Sequence, residues 1–148
     1  RLQLSSFPTD RMGDPYGSLS SILGIMDIIQ EFTFEAAHHL PRVAPDHKCR
    51  RLHGHSFRVA LTITGELDED KGWVMDFADL EAAFQPILVQ LDHNYLNWVP
   101  GLENPTSEII VRWLWRNLKP ALPGLSRIKL WETCESQCVY RGEDEDGG

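Results

Sequence analysis

Two segments of this chain alternate apolar and polar residues, and the apolar face of each one includes histidine. In the first segment, 27–39, the residues of one parity that form this face are Ile28, Phe32, Phe34, Ala36 and His38. In the second, 53–66, they are His53, His55, Phe57, Val59, Leu61 and Ile63. Alternation with a period of two is typical of a β-strand with one buried face. The pattern therefore predicts two neighbouring strands that line one pocket with imidazoles.

Three imidazoles with an open fourth position are a typical ligand set for a catalytic zinc ion. His53 and His55 can bind one ion, because residues i and i+2 of a strand point to the same side. By parity His38 is the expected third ligand, and His39 would replace it if a β-bulge shifted the strand. Alternatively, these are ordinary strand histidines, some in the core and some on the surface. His47 is expected to be a loop histidine.

The loop that precedes His53 contains a thiol within a basic cluster. Cys49 lies between Lys48 and Arg50, and Arg51 follows. Nearby cations favour the thiolate form of a cysteine, so Cys49 could act as a general base beside the metal. The alternative is that Cys49 itself binds the metal. The basic residues are either a solvated loop or a means of attracting an anionic substrate.

Three further side chains could take part in chemistry. Asp92 and His93 follow the first predicted helix, where they could cap it or form an acid/base pair. Glu132 ends the apolar face of a predicted strand, and a buried carboxylate needs a partner. A ligand with two adjacent N–H donors would supply that partner. Alternatively, Glu132 turns to solvent at the end of the strand.

The remaining pattern predicts two helices and two more strands, in the order β-β-α-α-β-β. The first helix should begin after Asp76, a good N-cap, and end near Leu91 with a kink at Pro86. The second should have Pro105 in its first turn. Two strands are expected to follow, at 126–133 and 137–141. This order favours an α+β domain with an antiparallel sheet and helices on one face.

Composition is that of a single globular domain. The 148 residues are 42% hydrophobic and 24% charged, and no apolar run reaches the length of a membrane-spanning helix. The net charge of −8 argues against a general nucleic-acid binder. The chain has three cysteines, an odd number without the spacing of a disulfide framework, which favours a reducing, cytoplasmic setting. Cys134 and Cys138 are expected to be structural.

We expect three parts along the chain: a leader at residues 1–25, a domain at 26–142 and an acidic tail at 143–148. The leader is rich in Ser, Gly, Pro and Asp, and it lacks the apolar core of a signal peptide. Met26 is the expected natural start, which would make the leader an artificial or upstream extension. Alternatively, the leader is an arm that packs on a partner subunit.

Six stretches together resemble the 6-pyruvoyl-tetrahydropterin synthase superfamily. They are FTFEAAH (32–38), HKCRRLHGHSF (47–57), GWVMDFADL (72–80), LDHNYLN (91–97), GLENPTSE (101–108) and ETC (132–134). Three residues separate Cys49 from His53, and this spacing resembles the carboxy-forming branch. The pyruvoyl-forming branch has a longer gap.

The resemblance implies a tunnelling fold, in which a four-stranded antiparallel sheet carries two helices on one face and subunits join edge to edge into a barrel. It also implies a homohexamer, a dimer of trimers with active sites at subunit interfaces. The implied partner is a small-molecule pterin triphosphate rather than nucleic acid or a membrane.

The implied activity is that of a zinc-dependent lyase in queuosine precursor biosynthesis. It would convert 7,8-dihydroneopterin triphosphate into 6-carboxy-5,6,7,8-tetrahydropterin, acetaldehyde and triphosphate. One alternative is a pyruvoyl-forming synthase, which eliminates triphosphate only. Another is a non-catalytic module that binds zinc or a pterin.

The resemblance also implies a role for each matching residue. One zinc ion per subunit would be held by His38, His53 and His55. Cys49 would accept a proton, and His93, oriented by Asp92, would act as the acid/base partner. Glu132 would anchor the aminopyrimidine edge of the pterin. The segment that helps to seat the pterin would be Thr106, Ser107 and Glu108.

Overall fold

The structure, a computed structural model, describes residues 24–144, so the expectations for 1–23 and 145–148 lie outside the described residues. Its strands and helices, in chain order, are β1 (Ile25–His38), β2 (His53–Glu66), α1 (Phe77–Leu91), β3 (Asn94–Tyr95), α2 (Ser107–Leu118), β4 (Leu125–Trp131) and β5 (Gln137–Tyr140). Two short 3₁₀ turns lie at Lys48–Arg50 and Leu96–Trp98. Within residues 24–144, no helix has both the length and the apolar character that crossing a membrane requires.

The strands form one mixed sheet in the order β3-β1-β2-β4-β5. β1 and β2 pair antiparallel along their whole length, and His38 lies opposite His53. The predicted four-stranded antiparallel sheet missed β3, which pairs parallel to β1 at Ala36 and Ala37. His93 turns the chain into β3 with a φ of 56° and donates its backbone N–H to the Glu35 carbonyl. A strand of two residues is too short to show alternation of apolar and polar side chains, so the sequence pattern could not indicate β3.

Both helices pack on the sheet face that the alternation predicted to be apolar. The ring of Phe84 on α1 stacks on Phe32 of β1, with centroids 4.0 Å apart. Trp115 on α2 meets Tyr140 of β5 edge to face at 5.5 Å. One core lies between the helices and the sheet. In it, Phe57, Val59 and Leu61 on the inner face of β2 are fully buried. The predicted α+β class, with helices on one face, is therefore confirmed.

The beginnings of the two helices differ in how well the sequence predicted them. The Asp76 carboxylate accepts the backbone N–H of Ala78, as an N-cap should, and α1 runs through Pro86 to its end. The prediction for α2 was wrong by two residues, because Thr106 is the N-cap and Pro105 precedes it. The hydroxyl of Thr106 accepts the N–H of Ile109, which satisfies one of the free amides at the helix start.

A glycine after β5 lies directly against α2, and this contact gives a test of the packing. Gly142 has a φ of 77°, and a Cβ built there would lie 2.2 Å from Cζ2 of Trp115. Gly72 has a similar φ of 76° but no atom within 4 Å of its built Cβ. We predict that Gly72→Ala costs about 1 kcal/mol of unfolding free energy for the left-handed backbone. Gly142→Ala should cost roughly 1–3 kcal/mol more for the overpacking.

Urea unfolding of the two variants under identical conditions measures this difference. The pair is matched, because both substitutions impose the same backbone strain and only one displaces a ring. Equal losses of unfolding free energy in the two variants would contradict the packing of Gly142 on Trp115.

Candidate metal centre and active site

Four side chains converge where β1 ends, β2 begins and β4 has just ended: His38, His53, His55 and Glu132. Their potential ligand atoms all lie within 4.8 Å of one another. Nε2 of His38 lies 3.0 Å from Nε2 of His53, and Nε2 of His55 lies 3.0 Å from Oε1 of Glu132. His38 is almost fully buried, with 1% of its side chain exposed, whereas the other three are half-buried. The register of β1 on β2 therefore produces a compact group of three imidazoles and a carboxylate.

Backbone carbonyls decide which ring nitrogens face the centre of this group. Nδ1 of His38 lies 2.9 Å from the carbonyl oxygen of Pro105, and Nδ1 of His53 lies 2.7 Å from that of Arg51. A carbonyl can only accept, so each Nδ1 must carry the proton, and a neutral ring then has a bare lone pair on Nε2. Two such lone pairs facing each other at 3.0 Å repel unless a cation lies between them. Metal-ligating histidines typically make this kind of outward hydrogen bond.

The electrostatics of the group also suit a metal ion. Burial lowers the pKa of His38 and of His55, which favours the neutral imidazoles that a metal binds. Nε2 of His55 is buried and makes no hydrogen bond, although Oε1 of Glu132 lies close to it. A buried nitrogen without a hydrogen bond is costly and calls for a partner. The residues present therefore fit a bound metal ion, and this group could hold one.

Glu132 lies beside the histidines rather than at a distance from them. The hydroxyl of Ser107 donates to its Oε2 at 2.8 Å, so Oε1 is the oxygen that faces the imidazoles. Strand parity placed Glu132 at the end of an apolar face, but parity cannot show which side chain lies across a neighbouring strand. The contact between Glu132 and His55 could therefore not be predicted from the sequence.

A cavity of about 560 Å³ opens on one side of this group, and we call it the thiol cavity. It is lined by Lys48, Cys49, Arg51, Leu52, His53, His55, Glu132, Thr133 and Ser136. Cys49 lies in the 3₁₀ turn, and its backbone carbonyl accepts the N–H of Leu40 at 2.8 Å. Cys49 therefore borders the same space as three of the four candidate metal ligands, although it is not one of them.

His93 lines a different space, a cavity of about 510 Å³ that we call the strand-edge cavity, and Asp92 lies next to it in the chain. The Asp92 carboxylate accepts the backbone N–H of Glu35 and contacts Nδ1 of His93, each at 2.9 Å. The Glu35 amide, and then the His93 ring, hold the pKa of Asp92 below its usual range. Within one chain, the structure does not bring His93 into the thiol cavity with Cys49. His55 is the one member of the metal-binding group that borders both cavities.

The segment at the start of α2 contributes unequally to the site. Thr106 caps the helix and Ser107 holds Glu132, whereas Glu108 is exposed. Burial, and to a smaller extent the charge of Glu108, raise the pKa of the Cys138 thiol. His39, the other candidate for the third ligand, turns away and pairs its Nδ1 with the Tyr95 hydroxyl.

Comparison with known proteins agrees with this geometry. The sequence model of the 6-pyruvoyl tetrahydropterin synthase family matches residues 27–143. The chain belongs to this family. The 6-carboxy-5,6,7,8-tetrahydropterin synthase of Synechocystis is 45% identical over 119 residues, which are 76% of this chain and 91% of that protein. The dihydroneopterin monophosphate aldolase of Pyrococcus furiosus is 36% identical over 108 residues, or 71% of this chain and 88% of that protein.

A solved structure from the same family has the same fold. The 6-pyruvoyl tetrahydropterin synthase of Caenorhabditis elegans superposes with a TM-score of 0.75 at 25% identity, over 80% of this chain and 96% of that one. The resemblance read from the six sequence stretches is therefore confirmed, as is the expectation of an enzyme of this family. In this fold His38, His53 and His55 lie together at one end of the β1–β2 pair.

The metal-binding group gives a direct test. We predict that His53→Ala weakens metal binding, because it removes a ligand. The loss should exceed the roughly 10- to 100-fold that removing an outer hydrogen-bond partner of a ligand costs. Metal content after dialysis against a competing chelator measures the change. The control is His93→Asn, which removes a histidine from the strand-edge cavity and keeps a side chain that tolerates a positive φ. Wild-type metal content in His53→Ala would show that the metal binds elsewhere.

Proposed function

We propose that this chain is a zinc-dependent lyase acting on 7,8-dihydroneopterin triphosphate in queuosine precursor biosynthesis. With uptake of one water, the products are 6-carboxy-5,6,7,8-tetrahydropterin, acetaldehyde and triphosphate. The observation that carries the proposal is that a thiol and a set of inward-facing imidazole nitrogens border one cavity. The identity with the Synechocystis synthase supports the choice of product.

Zinc is the metal that the donor set favours. Neutral imidazole nitrogens, with one carboxylate or an open position, are its usual ligands in catalytic sites. We propose one ion per subunit, held by His38, His53 and His55. When bound, it would polarise the side-chain oxygens of the substrate and so acidify the neighbouring C–H and O–H bonds.

Cys49 and His93 are the proposed proton carriers. Sγ of Cys49 would take a proton from a carbon of the substrate side chain, which begins the loss of triphosphate. Asp92 holds Nδ1 of His93 as a donor, so Nε2 is the nitrogen that takes up or returns a proton during release of acetaldehyde. The carboxylate of Asp92 therefore fixes the tautomer that this role requires.

The pterin ring needs acceptors for the adjacent N–H donors of its aminopyrimidine edge. We propose that Glu132 anchors this edge, as the resemblance implies; Ser107 holds one oxygen of its carboxylate and the other faces the histidines. The exposed carboxylate of Glu108 can accept a pair of such donors, and Ser107 and Thr106 lie next to it. We propose that this segment seats the ring.

Assembly into a dimer of trimers is part of the proposal. Cys49 and His93 line separate cavities within one chain, so a neighbouring subunit is needed to bring the two together. Among residues 24–144, no strand pairs with the outer side of β1 before Ala36, and β5 forms the opposite edge. Unpaired edges favour strand addition, and Ile29 and Val139 expose apolar side chains there. The odd cysteine count supports a reducing, cytoplasmic setting.

The thiol supplies the test of this function. We predict that Cys49→Ala lowers turnover of dihydroneopterin triphosphate by about 10²–10⁴-fold, which is the usual contribution of a positioned proton carrier. Zinc content should not change, since Cys49 is outside the ligand group. Cys134→Ala is the matched control, because that thiol is exposed and its loss should leave turnover unchanged.

The products distinguish the alternatives. Mass spectrometry of the pterin, with an assay for acetaldehyde, identifies the carboxy-forming reaction. Triphosphate release without acetaldehyde would instead indicate the pyruvoyl-forming synthase. No turnover in the wild type would leave a non-catalytic binding module.

A further inference from the structure

The three basic residues next to Cys49, namely Lys48, Arg50 and Arg51, differ in their contacts. Lys48 and Arg51 line the thiol cavity, together with the candidate metal ligand His53. Within residues 24–144, neither side chain makes a hydrogen bond or an ion pair. Arg50, between them, does not line this cavity.

Arg50 instead braces the loop. Its Nη1 donates to the carbonyl of Val43 at 2.9 Å and to that of Pro41 at 3.2 Å. The backbone hydrogen bond from Leu40 to Cys49 closes the same loop. The turn thus fixes the backbone on either side of Cys49, and two of the three basic residues, but not the third, border the cavity.

This concentration of positive charge is unusual in an acidic chain. The net charge is −8, yet the thiol cavity has two cationic side chains and a single carboxylate, Glu132. One oxygen of that carboxylate already accepts from Ser107 and the other faces the imidazoles. Neither Lys48 nor Arg51 is therefore neutralised by Glu132, and a bound metal cation would add to the positive potential.

We propose that Lys48 and Arg51 hold the phosphate chain of the substrate. The identity of that substrate rests on the proposed function. Its phosphates are attached to the end of the same short side chain whose oxygens approach the histidines, so they must leave the histidine group within a few bonds. An Arg fork can bind two phosphate oxygens and a Lys ammonium supplies a point charge. Because two cationic residues border one cavity, each could bind a different phosphate of a chain, which favours triphosphate over a single phosphate.

Binding of inorganic triphosphate to the zinc-loaded protein tests the proposal without any need for turnover. Isothermal titration calorimetry would compare the wild type with Lys48→Gln, Arg51→Gln and the double variant. Each single variant should weaken binding roughly tenfold or more, since it loses a charge-assisted contact. Arg51→Lys should recover part of the loss, because it restores the charge but not the fork. Lys71→Gln is the matched control, an exposed lysine beside Asp68 that should bind as the wild type does.

A kinetic readout separates this role from a structural one. The KM for dihydroneopterin triphosphate should rise in Lys48→Gln and Arg51→Gln while zinc content is unchanged. Unchanged triphosphate affinity in the double variant would overturn the proposal, because the anion would then be held by the metal or elsewhere. Orthophosphate binding as tight as that of triphosphate would overturn it too.

The result also distinguishes this proposal from the proposed reaction. Triphosphate binding that depends on both side chains, in a protein that forms no carboxy product, would support the phosphate site and reject the reaction. Formation of the carboxy product with unchanged affinity in the variants would support the reaction and reject the phosphate site.

Discussion

The antiparallel register of β1 on β2 is the constraint on which the candidate site depends. It places His38 directly opposite His53, with His55 two residues further along the same face. A slip of one residue would move all the side chains of a strand to the opposite face, and with them both the core and the ligands. Since apolar side chains on the same face as the histidines, such as Phe34 and Phe57, are buried, the hydrophobic core enforces the register. The stability of the core and the geometry of the candidate metal centre therefore both depend on the pairing of β1 with β2.

The orientation of the imidazoles depends on a second constraint, which comes from distant parts of the chain. The carbonyl of Pro105, 67 residues from His38, fixes the tautomer of that ring. Ser107, two residues later, orients Glu132. The loop that leads into α2 thus controls two members of the group, because α2 is packed on the sheet by its own apolar face. Docking of this helix and preorganisation of the ligands are coupled.

The sequence predicted the parts of this site that follow from local periodicity. Parity alone selects His38 over His39, and the structure brings His38 to the other two histidines. Contacts between distant segments could not be predicted from the sequence, because they depend on how the segments pack. Parity placed Glu132 on an apolar face but could not show its approach to His55. Likewise, β3 depends on a left-handed residue, His93, rather than on any alternation.

The two proposed proton carriers, Cys49 and His93, lie in separate cavities for a physical reason. Cys49 is held by a loop between β1 and β2, whereas Asp92 and His93 are held at the outer edge of β1 by the Glu35 backbone. Within residues 24–144 the sheet is open, with β3 and β5 at its edges, so groups at its edge and groups at a strand end stay apart in one chain. In the proposed assembly, joining copies edge to edge would pair the free edge of β1 and would bring these groups together. Assembly, rather than any movement within the chain, would then complete the proposed set of proton carriers around the three histidines.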